Sequence, residues 1–360
     1  FFCLLSPAPL LMTVPVFLQN LLSRGATHSQ IYYQYVTALI PFIFVATIAG
    51  LQKLLKNEAV YVKRHMLLTF FMVVFVLSGL YMNAPQFHLI AHARANKISD
   101  EDLAKKELIK IIPSQASVIA TFQFLPHLAH RKDLYSMHFV STGFKMHTTA
   151  KYDPPEHLEY ALVDFNERLM IRSFFTEQSP DNIRKFLESD HWRLLRSFDD
   201  IVLFKKGERE GIPLVQLTEN PRIENPADAN IGGLFKWLGY NIQSLSWGTR
   251  RLLHFTYYWQ RLDEVAIPLG LYLEFFDTRG RIVFGKFHAF GYRIYPPQDC
   301  PSGKVFQEEY FALVPMGLPS GRYTARMTIF SLRDRKSLPI SDSEKKSEGH
   351  FIFLKDIQVP

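Results

Sequence analysis

The chain has 360 residues, of which 48% are hydrophobic and 21% charged, and its net charge at neutral pH is +7. The basic residues form no stripe with interleaved aromatic residues, which argues against a nucleic-acid partner. Cys3 lies in an apolar stretch and Cys300 in a loop, so the sequence excludes a disulfide framework.

The first 98 residues are predicted to form a membrane α-helical anchor. Residues 1–52 contain a single charged side chain, Arg24, and no acidic residue. A spanning helix needs about 20 apolar residues. Three apolar stretches predict such helices at about 8–23, 31–52 and 66–83. Three segments in one block argue against the alternative, a buried core helix of a soluble protein.

The distribution of positive charge predicts the orientation of this anchor. The turn between the second and third segments contains four Lys or Arg residues, from Lys53 to Arg64, whereas the turn before it contains only Arg24. Since cytoplasmic loops carry an excess of Lys and Arg, we expect everything after Met82 to lie outside the cytoplasm. The chain begins with Phe1, and we expect it to be the C-terminal part of a longer multi-pass protein of the bacterial inner membrane.

Residues 99–207 are predicted to form an extracytoplasmic α/β domain. Acidic residues open a helix after Ser99, and short strands then alternate with helices, which is typical of a small α/β layer. The stretch "WRLLRSFDDIVLFKK" predicts a hairpin that turns at Asp199 and Asp200. The first strand is followed by no glycine-rich turn, so we expect no dinucleotide or P-loop phosphate site and no cofactor.

The last part of the chain is predicted to be an all-β sandwich. Residues 208–242 are rich in Pro, Asn and Gly, which predicts a linker. Residues 243–360 contain several short strand patterns separated by turn signals, as in a sandwich. The complete prediction is therefore a membrane α-helical anchor, a soluble α/β domain and an all-β sandwich.

The predicted outer loop between the first two membrane segments is one candidate substrate site. A guanidinium group can pair with a lipid phosphate, and imidazole and phenol groups can contact a sugar. The loop contains Arg24, His28, Tyr32, Tyr33 and Tyr35. The other interpretation is an interfacial belt, in which Tyr and Arg anchor the end of a helix.

Asp164 is the second candidate, because it ends the predicted strand "YALVD". A residue at this position of an open α/β sheet can face a ligand, or it can cap a turn. Aromatic residues of the predicted sandwich can bind a sugar ring or pack between the sheets. They include Tyr257, Tyr258, Trp259, Tyr292 and Tyr295. We expect no metal site.

Several stretches resemble a known family. "IYYQYVTALIPFIFVATIAG", "IIPSQASVIATFQFLPHLAHRKDLY" and "YALVDF" resemble the bacterial membrane protein family called domain of unknown function 2079, over residues 1 to about 207. That family is similar to the GT-C superfamily of sugar transferases, which use polyprenyl-phosphate sugars at the outer membrane face. "HFTYYWQ" and "LYLEFFDTRGRIV" resemble a β-sandwich appended to such membrane glycosyltransferases, over residues 244–357.

The resemblance implies the C-terminal portion of a GT-C-like integral membrane glycosyltransferase. Its partners would be membrane lipid, a polyprenyl-phosphate sugar and a glycan or protein acceptor. Such an enzyme needs a carboxylate at the outer membrane face, but no Asp or Glu precedes Glu58, which lies in the predicted cytoplasmic turn. We therefore expect this chain alone to have no transferase activity. The alternative is a non-catalytic, membrane-anchored envelope protein that binds glycans or assembles a complex.

Overall fold

The computed structural model divides the chain into two compact units, Phe1–Lys97 and Ile98–Pro360, and each is described by itself. The residues that the structure describes are 2–22, 38–56, 64–81, 98–145, 148–189, 192–207, 213–264, 267–342 and 347–359.

The first unit contains three described α-helices: α1 (Val14–Leu22), α2 (Ile40–Leu55) and α3 (Arg64–Tyr81). They have 9, 16 and 18 residues, and α3 begins with a charged residue. A spanning helix needs about 20 apolar residues. Among the described residues, no helix has both the length and the apolar character needed to cross a membrane. The predicted three-helix anchor is therefore not supported, and parts of its second and third segments lie outside the described residues.

The second unit begins with the predicted α/β layer, which is confirmed. Its elements are α4 (Asp100–Ile111), β1 (Val118–Ala120), α5 (Leu125–Leu128), β2 (Leu134–Ser136), α6 (Met137–Thr142), β3 (Tyr160–Asp164), α7 (Arg168–Ser173), α8 (Ser179–Ser189), β4 (Trp192–Phe198) and β5 (Ile201–Lys206). The five strands form sheet A, with order β2-β1-β3-β5-β4. Strand β1 is parallel to β2 and β3, whereas β5 is antiparallel to β3 and β4.

Local sequence explains the start of this layer. The Ser99 hydroxyl accepts a hydrogen bond from the Asp102 amide at 3.1 Å, and the Asp102 carboxyl accepts one from the Ser99 amide at 3.1 Å. This capping box satisfies amide groups that the first turn of α4 leaves free. Strands β1 and β3 are buried along their whole length, as expected where a parallel sheet is covered on both faces.

The rest of the second unit is rich in antiparallel β-structure, as predicted. Its strands are β6 (Val215–Thr218), β7 (Asn225–Ile231), β8 (Phe235–Trp247), β9 (Arg250–Arg261), β10 (Leu269–Phe276), β11 (Ile282–Ala289), β12 (Val305–Val314), β13 (Gly321–Ser331), β14 (Ile340–Asp342), β15 (Ser347–Glu348) and β16 (Phe351–Val359). They form sheet B, with order β14-β7-β8-β9-β12-β6, and sheet C, with order β11-β10-β13-β16-β15.

The segment 208–242 differs from the predicted linker, because it contains β6, β7 and the first part of β8. Its glycines have specific positions in this structure. Gly232 and Gly233, with φ of 59° and 74°, form the turn between β7 and β8. Gly239 lies at an irregularity in the pairing of β8, with φ of 128°. The composition that suggested a linker therefore reflects turn and bulge chemistry.

One hydrophobic core unites the three sheets. Buried residues of sheet A, such as Val163 and Phe204, belong to the same cluster as Tyr257 of sheet B and Leu273 of sheet C. The α/β layer and the antiparallel sheets are therefore packed together rather than held apart by a flexible segment.

Candidate functional site

A pocket of about 240 Å³ lies where sheet A meets β11, and we call it the junction pocket. Its polar lining consists of Glu101, Asp164, Asn166, Asp199, Asp200 and Lys286. These residues come from the N-terminal turn of α4, the end of β3, the β4–β5 turn and β11. Carboxyl, amide and ammonium groups thus converge at one edge of the sheet.

Asp164 is held in place by its backbone and its side chain. Its amide donates to the Thr121 hydroxyl at 3.1 Å, and its Oδ1 accepts from the Asn166 amide at 2.7 Å. Its Oδ2 accepts from the Gln123 side chain. Burial raises the pKa of Asp164 to about 6, although the bonds from Asn166 and Gln123 lower it. The carboxyl therefore gains or loses its proton close to neutral pH.

A second carboxyl supports this arrangement. Glu167 accepts hydrogen bonds from the amides of Phe122 and Gln123, at 2.9 and 2.5 Å. Burial raises the pKa of Glu167, and these two amide bonds lower it. Since the Gln123 side chain contacts Asp164, Glu167 fixes the backbone from which that contact is made. Asp164 is thus both the cap of a turn and a residue of the junction pocket.

Behind the junction pocket, a buried histidine connects two carboxyl groups. His288 Nδ1 lies 2.6 Å from Asp200 Oδ1, and His288 Nε2 lies 2.9 Å from Glu308 Oε1. The three residues are 0%, 3% and 0% exposed, respectively. Burial alone would lower the pKa of His288, but Asp200 and Glu308 raise it to about 9. At neutral pH the imidazole is therefore protonated and donates from both nitrogens.

Both oxygens of Glu308 have further donors. Its Oε1 also accepts from the Gly291 amide at 2.5 Å, and its Oε2 accepts from Trp259 Nε1 at 3.1 Å. Buried charges persist only where partners and hydrogen bonds offset the loss of water. The network of His288, Asp200 and Glu308 meets this condition, so it fixes the β4–β5 turn against β11 and β12.

Asp199 extends this network to the wall of the junction pocket. Its Oδ2 lies 2.6 Å from Lys286 Nζ, and its Oδ1 accepts from the Leu313 amide at 3.0 Å. Burial raises the pKa of Asp199, and the Lys286 ammonium lowers it. The Asp199–Lys286 pair therefore places opposite charges side by side at the edge of the pocket.

Positive backbone φ angles are concentrated beside the network of His288, Asp200 and Glu308. Four non-glycine residues have positive φ among those that the structure describes, and three adjoin the network: Asp199, Tyr292 and Arg293, at 49°, 53° and 63°. Arg293 also donates to the Asn166 side chain of the junction pocket at 3.1 Å. Left-handed conformations are unfavourable for Tyr and Arg, whereas Asp adopts them readily in tight turns.

The other predicted site residues are not brought to this pocket. Arg24, His28, Tyr32, Tyr33 and Tyr35 lie outside the described residues. Of the sandwich aromatics, Tyr257, Tyr258, Trp259 and Tyr292 are buried in the protein, as the packing interpretation requires, and only Tyr295 is half-buried. In the described part of the chain, no group of three or more His, Cys, Asp or Glu residues is placed to hold a metal ion.

The sequence did not predict that His288 contacts Asp200 and Glu308. A signal exists in the strands "KFHAF" and "VFQEEYFALV", where charged or titratable residues interrupt otherwise apolar patterns. Such residues inside a buried strand must find partners. The sequence does not say which distant turn supplies them.

Comparison with known proteins assigns the first part of the chain. The family described as predicted membrane protein, DUF2079, matches residues 1–203, which include sheet A up to β5. The chain belongs to the DUF2079 family. The resemblance that the sequence suggested is confirmed over these residues. No curated protein matches this DUF2079 chain closely enough to count as a relative.

Among solved structures, the crystal structure of the C-terminal domain of wzt is similar to this DUF2079 chain at 12% identity. The match covers 39% of this chain and 92% of that chain, with a TM-score of 0.26.

Proposed function

We propose that this DUF2079 chain is part of a GT-C-like integral membrane glycosyltransferase that uses a polyprenyl-phosphate sugar donor. In this proposal, residues 98–360 bind the acceptor or a partner chain on the extracytoplasmic side of a bacterial inner membrane. Support comes from the match to a family described as predicted membrane protein and from the resemblance of that family to GT-C transferases.

The apolar surface of the first unit supports a location at the membrane. Its exposed large apolar residues include Leu11, Met12, Phe44, Ile48, Met66 and Phe70. Exposed apolar surface of this extent is typical of sites that contact lipid or another protein. The excess of Lys and Arg between the second and third apolar stretches of the sequence supports the orientation.

The junction pocket is the observation that carries the acceptor-binding role. Asp164 and Asp199 offer carboxyl oxygens that accept hydrogen bonds from sugar hydroxyls, and Lys286 offers a donor. Asp164 lies at the end of β3, Lys286 lies within β11, and Asp199 lies in a tight turn that the His288 network fixes, so their geometry is held before a ligand arrives.

A second candidate function is a non-catalytic envelope protein that binds glycans or assembles a complex. The observation that favours it is the lack of any Asp or Glu before Glu58, because sugar transfer needs a carboxylate near the reacting hydroxyl. Under the first proposal, this carboxylate belongs to another part of the enzyme.

The test is sugar transfer by the full-length protein in proteoliposomes, with radiolabelled polyprenyl-phosphate sugar as donor and bacterial envelope glycan as acceptor. We expect transfer, and we expect Asp164→Asn to raise the KM for the acceptor with little change in kcat. Asp153→Asn is the matched control, because Asp153 is exposed and outside the pocket. Glycan binding without transfer would favour the second candidate, and the absence of both would contradict both.

A further inference from the structure

The outward side of sheet C carries aromatic side chains where a water-covered sheet ordinarily has polar ones. Side chains alternate between the two sides of a strand, and in β10 the inward Leu271, Leu273 and Phe275 are each 0% exposed. Of the outward residues, Tyr272 is 40% exposed and Phe353 is 51% exposed. We call this surface the sheet C face, and its described aromatic residues are Tyr272, Phe276, Phe287, Phe330, Phe351 and Phe353.

Two glycines let these rings lie low on the sheet. A Cβ added at Gly285 would lie 2.8 Å from Tyr272 Cζ. A Cβ added at Gly270 would lie 3.0 Å from Phe287 Cε2 and 3.1 Å from Phe330 Cζ. The rings therefore lean across neighbouring strands, and the ring centres of Phe287 and Phe330 are 6.0 Å apart. Exposed apolar surface of this kind marks a site that contacts another protein or a membrane.

The centre of the sheet C face has no net charge. Arg326 Cζ lies 5.0 Å from the centre of the Phe276 ring and 4.4 Å from the centre of the Phe351 ring. The Arg326 Nε lies 2.6 Å from Glu274 Oε2, so the guanidinium and the carboxylate neutralise each other. The centre therefore presents aromatic rings around a paired polar group.

Cationic side chains lie at both ends of the sheet C face. One group lies beside the β10–β11 turn and the start of β13, and the other lies in the turn after β13. None of them forms an ion pair within the described part of the chain, and Asp334 in the second group adds one negative charge. The exposed cations are Arg279 and Arg322 in the first group and Arg333, Arg335 and Lys336 in the second.

We propose that the sheet C face docks on an anionic lipid surface. Aromatic side chains are favourable at the boundary between lipid headgroups and acyl chains, and Lys and Arg near that boundary are attracted to anionic headgroups. The chain continues from Lys97 into this unit and belongs to a family described as predicted membrane protein. The inference rests on the membrane location in the proposed function and is independent of sugar transfer.

The charges favour a lipid surface over other occupants of the sheet C face. A second copy of the chain would bring two sets of cations together, and such like-charge contacts are unfavourable. A neutral glycan would cover the rings but leave the cations without partners. An anionic lipid surface covers the rings and pairs with the cations at the same time.

The experiment uses the full chain reconstituted in vesicles that contain equal amounts of phosphatidylglycerol and phosphatidylcholine. Cys3→Ala and Cys300→Ala remove the native thiols, and a fluorophore is attached at Thr324→Cys. Thr324 is exposed and lies opposite Phe276 on the sheet C face. We expect a quencher carried on the lipid headgroups to quench this fluorophore. Gln216→Cys is the matched labelling control, because Gln216 is exposed on β6 of sheet B, and we expect little quenching there.

Two changes test the causes of this contact. Tyr272→Ser combined with Phe353→Ser removes the two most exposed rings, and we expect most of the quenching at the Thr324 position to be lost. Phe144→Ser is the control, because Phe144 is 45% exposed but lies outside the antiparallel sheets. Raising the ionic strength from about 0.1 M to about 1 M shortens the screening length from about 10 Å to about 3 Å. We therefore expect high salt, or vesicles of phosphatidylcholine alone, to weaken the quenching.

Circular dichroism checks that each variant is folded. The proposal is overturned if the Thr324 position is not quenched, if the Gln216 position is quenched equally, or if the double variant is quenched as strongly as the unsubstituted face. A soluble quencher gives the other outcomes. Protection of the Thr324 position in detergent alone indicates a second copy, and protection only after addition of polygalacturonate indicates an acidic glycan. Either result without lipid quenching overturns the proposal.

Flotation of the protein with the vesicles separates this inference from the proposed function. Protein that floats with the vesicles but is not quenched at the Thr324 position contradicts this inference alone. Protein that does not float contradicts the membrane location and this inference together. A failed transfer assay with quenching intact contradicts only the proposed sugar transfer.

Discussion

His288 Nδ1 lies 2.6 Å from Asp200 Oδ1, although 88 positions separate the two residues in the chain. Asp200 lies in the turn of the β4–β5 hairpin and His288 lies in β11. This contact, extended by the bond of His288 to Glu308, fastens the α/β layer to the antiparallel sheets. The stability of the second unit therefore depends on a charge network inside its core.

Replacement of His288 by Gln tests that dependence. The variant leaves the Asp200 and Glu308 carboxyls buried without a cation, and breaking a buried ion pair costs about 3–5 kcal/mol. We expect the free energy of unfolding, measured by urea denaturation, to fall by this amount. His350→Gln is the control, because His350 is exposed and its Nδ1 contacts the Leu338 carbonyl oxygen rather than a carboxyl group. Equal stability of the two variants would contradict the role of the network.

The pH dependence of stability gives a second test. The pKa of His288 is raised to about 9 in the folded state, against about 6.5 in an unfolded chain. Its contribution to stability is therefore complete below pH 6.5 and is lost as the pH rises through 9. The contribution is on the order of 3 kcal/mol. Wild type and His288→Gln should converge in unfolding free energy between these pH values, and a constant difference up to pH 10 would contradict the raised pKa.

Asp164→Asn is expected to stabilise the protein at alkaline pH. Burial raises the pKa of Asp164 to about 6, so the folded state disfavours the charged carboxyl. The contribution of this group is favourable below its unfolded pKa of about 3.9 and is lost as the pH rises through 6. At pH 8 the variant should gain on the order of 1–3 kcal/mol, and at pH 4 it should match the wild type. Thermal unfolding at both pH values, with Asp153→Asn as control, measures the difference.

Gly239→Ala tests the bulge in the segment that composition alone suggested was a linker. Gly239 has φ of 128°, and an added Cβ would collide with the Asn225 carbonyl oxygen and lie 2.9 Å from the Ile223 side chain. We expect a loss of more than about 2 kcal/mol in unfolding free energy. Gly233→Ala is the matched control, because its φ is also positive, at 74°, but no atom lies within 4 Å of the added Cβ. A similar loss in both variants would mean that backbone conformation alone sets the cost.

Local patterns in the sequence predicted local structure well. The acidic residues after Ser99 indicated the start of α4, and "RSFDDIV" indicated the hairpin turn that the structure places at Asp199 and Asp200. Both features depend on hydrogen bonds between residues close in the chain, which propensity and capping rules describe.

Features that depend on distant residues were not predictable in the same way. Nothing local to Asp200 indicates His288, which lies 88 positions away in the chain. The Pro, Asn and Gly residues of 208–242 indicated irregular backbone correctly, but the same residues serve hairpins as well as linkers. The apolar stretches of the first unit indicated long helices, and in the described part of the chain α1, α2 and α3 have 9, 16 and 18 residues.

The core that the three sheets share has a consequence for how the second unit unfolds. A cut near residue 207 would separate Asp200 from His288 and divide the cluster that joins Val163 to Leu273. Neither fragment would then keep a complete interior. Residues 98–360 should accordingly melt in one cooperative transition, and a calorimetric trace of this region should contain one peak rather than two.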